Sequence, residues 1–296
     1  MLARVLGLRV RGRLLSVWLG LLVGWLRGRV PHRLLPGFIA LRTRIAWRNP
    51  KVREDARREM RLMLEHTRPD ADLEVVARRY VHRQVVRGEL RWHPRLLREV
   101  RMEGLEHLQE AVDQGRGVVF NWMHHGQLDA TSWLMAQRGL LVNIVGAPKL
   151  FGDVPAWLEQ HNKLAVAGGH TMVSASEGAE AFVKLLKDGQ VLSIAVDVPG
   201  RTPVHFLGRD LVGSFGAPRM AMATGALVVL MTAELDHPDA LLATHRVHPA
   251  LDPADFADAG ELHRRMLELH EPYLVRFPEL YDIPSSHWGV PGDVAR

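Results

Sequence analysis

Three histidines in this chain are followed five residues later by a carboxylate: His124 and Asp129, His205 and Asp210, His263 and Glu268. A carboxylate bonded to one imidazole nitrogen fixes the tautomer and leaves the other nitrogen free as a general base. Sixteen histidines and 33 acids in 296 residues give about two such pairs by chance. Context must therefore choose among them. His263 and Glu268 fall in an amphipathic helical pattern, where five residues turn through about 140° and face the two side chains apart. His205 lies in the extended segment VHFLGRD, interrupted by a Gly-Arg turn. His124 follows the apolar run GVVF, at the carboxyl end of a predicted strand, and Gly126 permits a sharp turn into a helix. Asp129 then falls in the first helical turn and is expected to fold back toward His124. Sites in open α/β sheets lie outside the carboxyl ends of the strands, so His124 with Asp129 is the preferred pair.

The elements needed to hold such a site are legible in outline. Helical patterns cover residues 38–66, split at Asn49-Pro50, and run from Asp72 to about Gly88. From about residue 99 short apolar runs alternate with helical segments. EVRMEG, GVVFNW, LLVNIVG, QVLSIAVDV, ALVVLMTAEL and LLATHRVHP read as strands. EHLQEAVDQG, GQLDATSWLMAQRG, SEGAEAFVKLLKDG, GAPRMAMATG and a long segment starting at Pro253 read as helices. The alternation implies an α/β fold with a mainly parallel central sheet flanked by helices, preceded by a helical N-terminal hairpin.

Charge divides the chain differently. Residues 1–50 hold ten arginines and no Lys, Asp or Glu, whereas the remainder carries five more acids than bases. The run LLSVWLGLLVGWL over 14–26 is flanked by arginines. It is shorter than the roughly 20 apolar residues that span a bilayer. A signal peptide would also show a basic start and a short apolar core, but Arg27 and Arg29 follow at once where a small-residue cleavage site is needed. An interfacial segment fits better, with Trp18 and Trp25 as anchors and arginines directed at anionic headgroups. A core helix with solvated arginines is the plainer alternative. Nucleic acid is not expected as a partner, because the arginines interleave with apolar residues and no nucleic-acid motif is present. The expected division is 1–50 as basic membrane-associating helices and 51–296 as the α/β domain. The absence of cysteine removes disulfide frameworks, thiolate metal sites and cysteine nucleophiles.

Two blocks carry a family resemblance. NWMHHGQLDA and, further on, AVDVPGRTPVHFLGRDLVGSFGAPRMAMATGALVVL resemble the lysophospholipid acyltransferase superfamily. The nearer likeness is to its lipid A late acyltransferase and phosphatidylinositol mannoside acyltransferase branch. The first block matches a H-x-G-N-W-E/D pattern as His124, His125, Gly126, Gln127, Leu128 and Asp129, departing at Gln127 and Leu128. The second matches F-F-G-R as Phe206 to Arg209, and G-P-A-x-x-A-x-x-T-G-A as Gly216 to Ala226. The closing PELYDIPSSHW is similar to P-E-Q-Y-x-W-x-H-R-R-W without its charged half. The likeness covers roughly residues 40–285.

The resemblance implies acyl transfer from acyl-CoA or an acyl carrier protein to a hydroxyl of a glycolipid or phospholipid, at the cytoplasmic face of the inner membrane. No metal and no bound cofactor is implied, the thioester being a co-substrate. His124 would be the base and Asp129 its support. Asp197, ending the run SIAVDV, would bind acceptor hydroxyls or support His124; the plainer reading is a turn-forming Asp before Pro199-Gly200. Arg209 and Lys149 would bind a phosphate, and His125 would line the pocket or hold the loop. Two other functions compete with this one. A metal hydrolase would draw on His124, His125, Asp129, His161 and His170, but no close-packed ligand motif is present. A non-catalytic lipid-binding membrane protein is compatible with the departures at Gln127, Leu128 and the tail.

Overall fold

The computed structural model describes residues 24–289. The apolar segment expected over 14–26, with Trp18, lies outside the described residues as far as residue 23. Seven strands form the central sheet: β1 (Arg101–Glu103), β2 (Val118–Trp122), β3 (Asn143–Gly146), β4 (Thr171–Ser174), β5 (Val191–Ala195), β8 (Leu227–Glu234) and β9 (Thr244–Val247), in the order β1-β9-β8-β2-β5-β3-β4. β6 (Thr202–Phe206) and β7 (Arg209–Gly213) pair as a separate hairpin. All sheet neighbours are parallel except β8 with β9.

Alternation along the central strands separates two cores, as the period of a pleated strand requires. Val119, Val228 and Leu230 point into one cluster, whereas Val118, Phe120, Leu227 and Val229 point into another. Strands buried on both faces read as continuous apolar runs, which is why GVVF and LVVLM stand out. The first core is covered by α2 (Pro50–Leu64), α3 (Leu73–Leu90), α7 (Gly178–Lys187), α8 (Gly216–Thr224) and α9 (Ala259–Arg276). The second is covered by α4 (Leu105–Asp113) and α5 (Thr131–Ala136). Ahead of these in the chain, α1 (Leu35–Arg48) buries Leu35 and Ile39 with Val86 and Leu90 of α3. It is therefore packed into the helical layer that carries the rest of the chain.

The caps follow the sequence. Pro50 starts α2 behind an Asn49 side chain that accepts from Lys51 N–H, and Asp72 caps α3 through Glu74 and Val75 N–H. Two departures from expectation bear on the site. The helix expected over 126–139 is only a 3-10 turn at Leu128–Ala130 followed by α5. Gln127 holds this stretch to the sheet, its Oε1 accepting from Ala243 N–H at 2.7 Å. The other is β4 and the preceding α6 (Ala156–Ala165), which the apolar pattern does not reveal. β4 is the edge strand and only Val173 of it is buried, so its pattern is weak.

Candidate active site

Strand register builds the site. β2 and β5 run parallel with Trp122 opposite Ala195. Two residues further along each strand lie His124 and Asp197, which therefore emerge side by side at the carboxyl edge of the sheet. Asp197 Oδ1 accepts from His124 Nδ1 at 3.0 Å, and its Oδ2 accepts from His124 backbone N–H at 2.8 Å. One carboxylate thus grips the ring and the main chain of the same residue. An ionised carboxylate only accepts, so Nδ1 carries the proton and Nε2 keeps its lone pair. Asp197 is fully buried, whereas 30% of the His124 side chain is exposed. Burial alone would raise the Asp197 pKa, but the charge and hydrogen bonds of His124 lower it below the ordinary value. A partly exposed imidazole held by a dry carboxylate is an arrangement that could serve general-base chemistry.

Asp129 does not meet His124. Its oxygens are taken by Arg91 Nε at 2.9 Å and by His161 Nδ1. Burial pushes its carboxyl upward, but the His161 hydrogen bond and the Arg91 charge outweigh this and hold it at about 2. The expectation that Asp129 folds back onto His124 is thus corrected: the 3-10 turn and the Gln127 anchor carry it away, and the carboxylate that meets the His124 ring is Asp197. Neither Arg91, beyond the end of α3, nor His161, on the unexpected α6, is signalled by a motif.

His125 takes the opposite direction to His124, as neighbours on an extended chain do. It is buried, its Nε2 donates to Phe277 C=O at 2.9 Å, and burial pushes its pKa down to about 4. It fixes the loop and does not line an open pocket. Arg209 lies at the start of β7 and donates to Glu65 at 2.9 Å. Lys149 is exposed in the turn Pro148–Leu150 after β3. The structure does not bring either cation into contact with the His124–Asp197 pair.

The C-terminal segment completes the site, and its residues are not foreseeable as functional from the sequence. Gly126 N–H donates to Leu280 C=O at 3.2 Å, and Asp282 N–H donates to His124 C=O at 2.8 Å. The His287 ring stacks on His124 with centroids 4.1 Å apart and planes 18° from parallel. Tyr281 stacks on His287 at 5.6 Å and accepts from Trp288 Nε1 at 2.8 Å. Burial, with the Asp197 charge, keeps the Tyr281 phenol well above its ordinary range. Trp122 meets His124 edge to face at 5.1 Å. His124 thus stands in an aromatic setting drawn from β2 and from the segment around residues 281–288.

His124, Asp197 and His287 also place three potential ligand atoms within 4.8 Å of one another. Ring-nitrogen lone pairs lie in the ring planes, however, and two nearly parallel stacked rings do not aim them at one point. The geometry suits proton transfer better than metal ligation.

The model of the family described as bacterial lipid A biosynthesis acyltransferase matches residues 8–283. The chain belongs to this family. The acyltransferase also resembles the crystal structure of the 1-acyl-sn-glycerophosphate (LPA) acyltransferase PlsC from Thermotoga maritima, with 14% identity and a TM-score of 0.42 over 88% of this chain and 97% of that one. No curated protein matches it. It is an acyltransferase acting on lipids, and among the described residues no helix is long and apolar enough to cross a membrane.

Proposed function

We propose that this acyltransferase moves a fatty acyl chain from a thioester, acyl-CoA or acyl carrier protein, to a hydroxyl of a glycolipid or phospholipid, with His124 as general base and Asp197 as its support. The observation that carries the reading is the buried Asp197 carboxylate on Nδ1 of a partly exposed His124. His124 Nε2 takes the proton of the acceptor hydroxyl as that oxygen attacks the thioester carbonyl. The tetrahedral intermediate collapses, the carbon–sulfur bond breaks, and the imidazolium returns the proton to the departing thiolate. Asp197 stabilises the imidazolium between these steps, as in the histidine–carboxylate pairs of serine hydrolases but without an enzyme nucleophile. A base of this kind contributes about 10²–10⁴-fold.

A membrane surface is the proposed partner, at the cytoplasmic face where thioester donors are made. Leu34, just ahead of α1, and Leu41 and Ile45 along it are exposed beside Arg44 and Arg48, a face that suits an anionic lipid interface. Two of the N-terminal arginines are engaged inside the protein instead, since Arg27 and Arg42 both pair with the buried Glu89.

The test is an assay of purified protein with acyl thioesters and a membrane lipid extract, read by mass spectrometry. A new acylated lipid that disappears with His124→Ala supports the reading. Undiminished transfer by a folded His124→Ala variant overturns it.

A further inference from the structure

We propose that His287 is a positioning residue of the acyl-transfer site, its ring face stabilising the imidazolium that His124 becomes while it holds the acceptor's proton. The inference rests on the reading of His124 as the base. The geometry is that of a face-on support: the rings are 4.1 Å apart and 18° from parallel. A neutral aromatic face attracts a cation more strongly than it attracts a neutral ring. His124 is neutral before proton transfer and charged during it. The stack therefore gains strength as the reaction proceeds, and only such differential contacts raise kcat.

For this, His287 must stay neutral and stay in place. It is largely desolvated, and burial lowers its affinity for a proton, with the neighbouring Asp197 opposing. Two stacked imidazolium rings at this separation would also repel. Its position is fixed by the tail around it. Ser285 is held by Glu59 of α2 through backbone N–H at 2.8 Å and hydroxyl at 2.7 Å. Asp282 is bonded to the His124 carbonyl and paired with Arg87 of α3 at 2.5 Å. Tyr281 stacks on the same imidazole and is itself pinned by Trp288. Helices, sheet edge and tail thus converge on one ring. A relay of protons through His287 is the poorer reading, because a stacked ring directs its N–H groups parallel to its neighbour's plane.

The substitutions that isolate the ring face are His287→Phe, His287→Leu and His287→Gln. Phe keeps an aromatic face without titration, Leu keeps apolar bulk without a face, and Gln keeps a polar group without a face. The chain has no cysteine, so released thiol can be read directly with a thiol reagent. Assays use the full chain and the thioester donor and lipid extract that wild type turns over, with melting temperature measured on each variant. Phe is expected to hold kcat within about threefold, while Leu and Gln lower it about tenfold with KM within about twofold. Leu and Gln test the same loss, so one folded variant of the two suffices. Leu or Gln turning over as fast as Phe would overturn the inference, and so would Phe failing while Gln is retained. His124→Ala separates the two levels. If it is inactive while His287→Leu or His287→Gln is normal, this inference alone fails. If it remains active, the reading of the base fails with it.

Discussion

Asp129 and Asp197 are both buried carboxylates facing histidines, but their surroundings differ. Asp197 holds the ring and main chain of His124, with the His287 ring stacked on the face of that imidazole. Asp129 sits between Arg91 and His161, each holding one oxygen. Its pKa falls from 3.8 to about 2 on folding. A carboxyl depressed in this way contributes stability above its ordinary value and loses it as pH falls through the folded value. The shift corresponds to about 2 kcal/mol at neutral pH. Asp129→Asn is therefore expected to lower the melting temperature by a few degrees while leaving most of the kcat of wild type, measured by thermal unfolding alongside the transfer assay. The five-residue spacing of His124 and Asp129 points to this carboxylate, because spacing speaks only of local geometry. The partner on the next strand follows from register, Trp122 opposite Ala195, and register is a tertiary fact. Both apolar runs can be read, but not their alignment.

At the scale of elements, the loop after β2 is set by Gly126. Its φ is +91°, and a Cβ there would stand 2.6 Å from Ala233 Cβ and 2.9 Å from His245 Cε1. Gly126→Ala is expected to cost more than about 2 kcal/mol and to reduce transfer as His124 is displaced, measured by unfolding and kinetics. Four buried histidines lie on or around the same elements. Burial pushes His125, His245 and His263 down to about 4 and His270 to about 3. Between roughly pH 6.5 and these values the unfolded chain binds more protons than the folded one, so stability falls as pH falls. Each histidine costs about 1.4 kcal/mol per pH unit in that window. Melting temperature is expected to drop steeply between about pH 7 and about pH 5, and a flat profile would contradict this. The hairpin β6–β7 illustrates what sequence conceals. Its two-residue turn is Leu207-Gly208, both at positive φ, a geometry hairpins favour but leucine seldom adopts. His205 and Asp210 meet across that hairpin at 2.9 Å, exposed and without contact to His124.

At the scale of the molecule, the site is assembled from both ends of the described chain. Helices α2 and α3 hold the closing segment through Glu59, Tyr80 and Arg87, and that segment lies on the loop after β2. The tail PELYDIPSSHW is legible as a family-like ending, but nothing in it discloses which strand end it covers. Tyr281, His287 and Trp288 are therefore the part of the site that only the fold reveals. The exposed α1 face gives a separate expectation. Replacing Leu34, Leu41 and Ile45 together by Ser should weaken binding to anionic vesicles at least about tenfold without lowering the melting temperature. Unchanged co-sedimentation would place membrane contact elsewhere.

The pairing of His124 with Asp197 is tested most directly by comparing Asp197→Asn and Asp129→Asn with wild type in the transfer assay. Both variants must first be shown to be folded. Asp197→Asn is expected to lose on the order of 10²–10⁴-fold in kcat, while Asp129→Asn keeps most of it. Full turnover by Asp197→Asn, with Asp129→Asn folded but inactive, would contradict the pairing and return the role of support to Asp129.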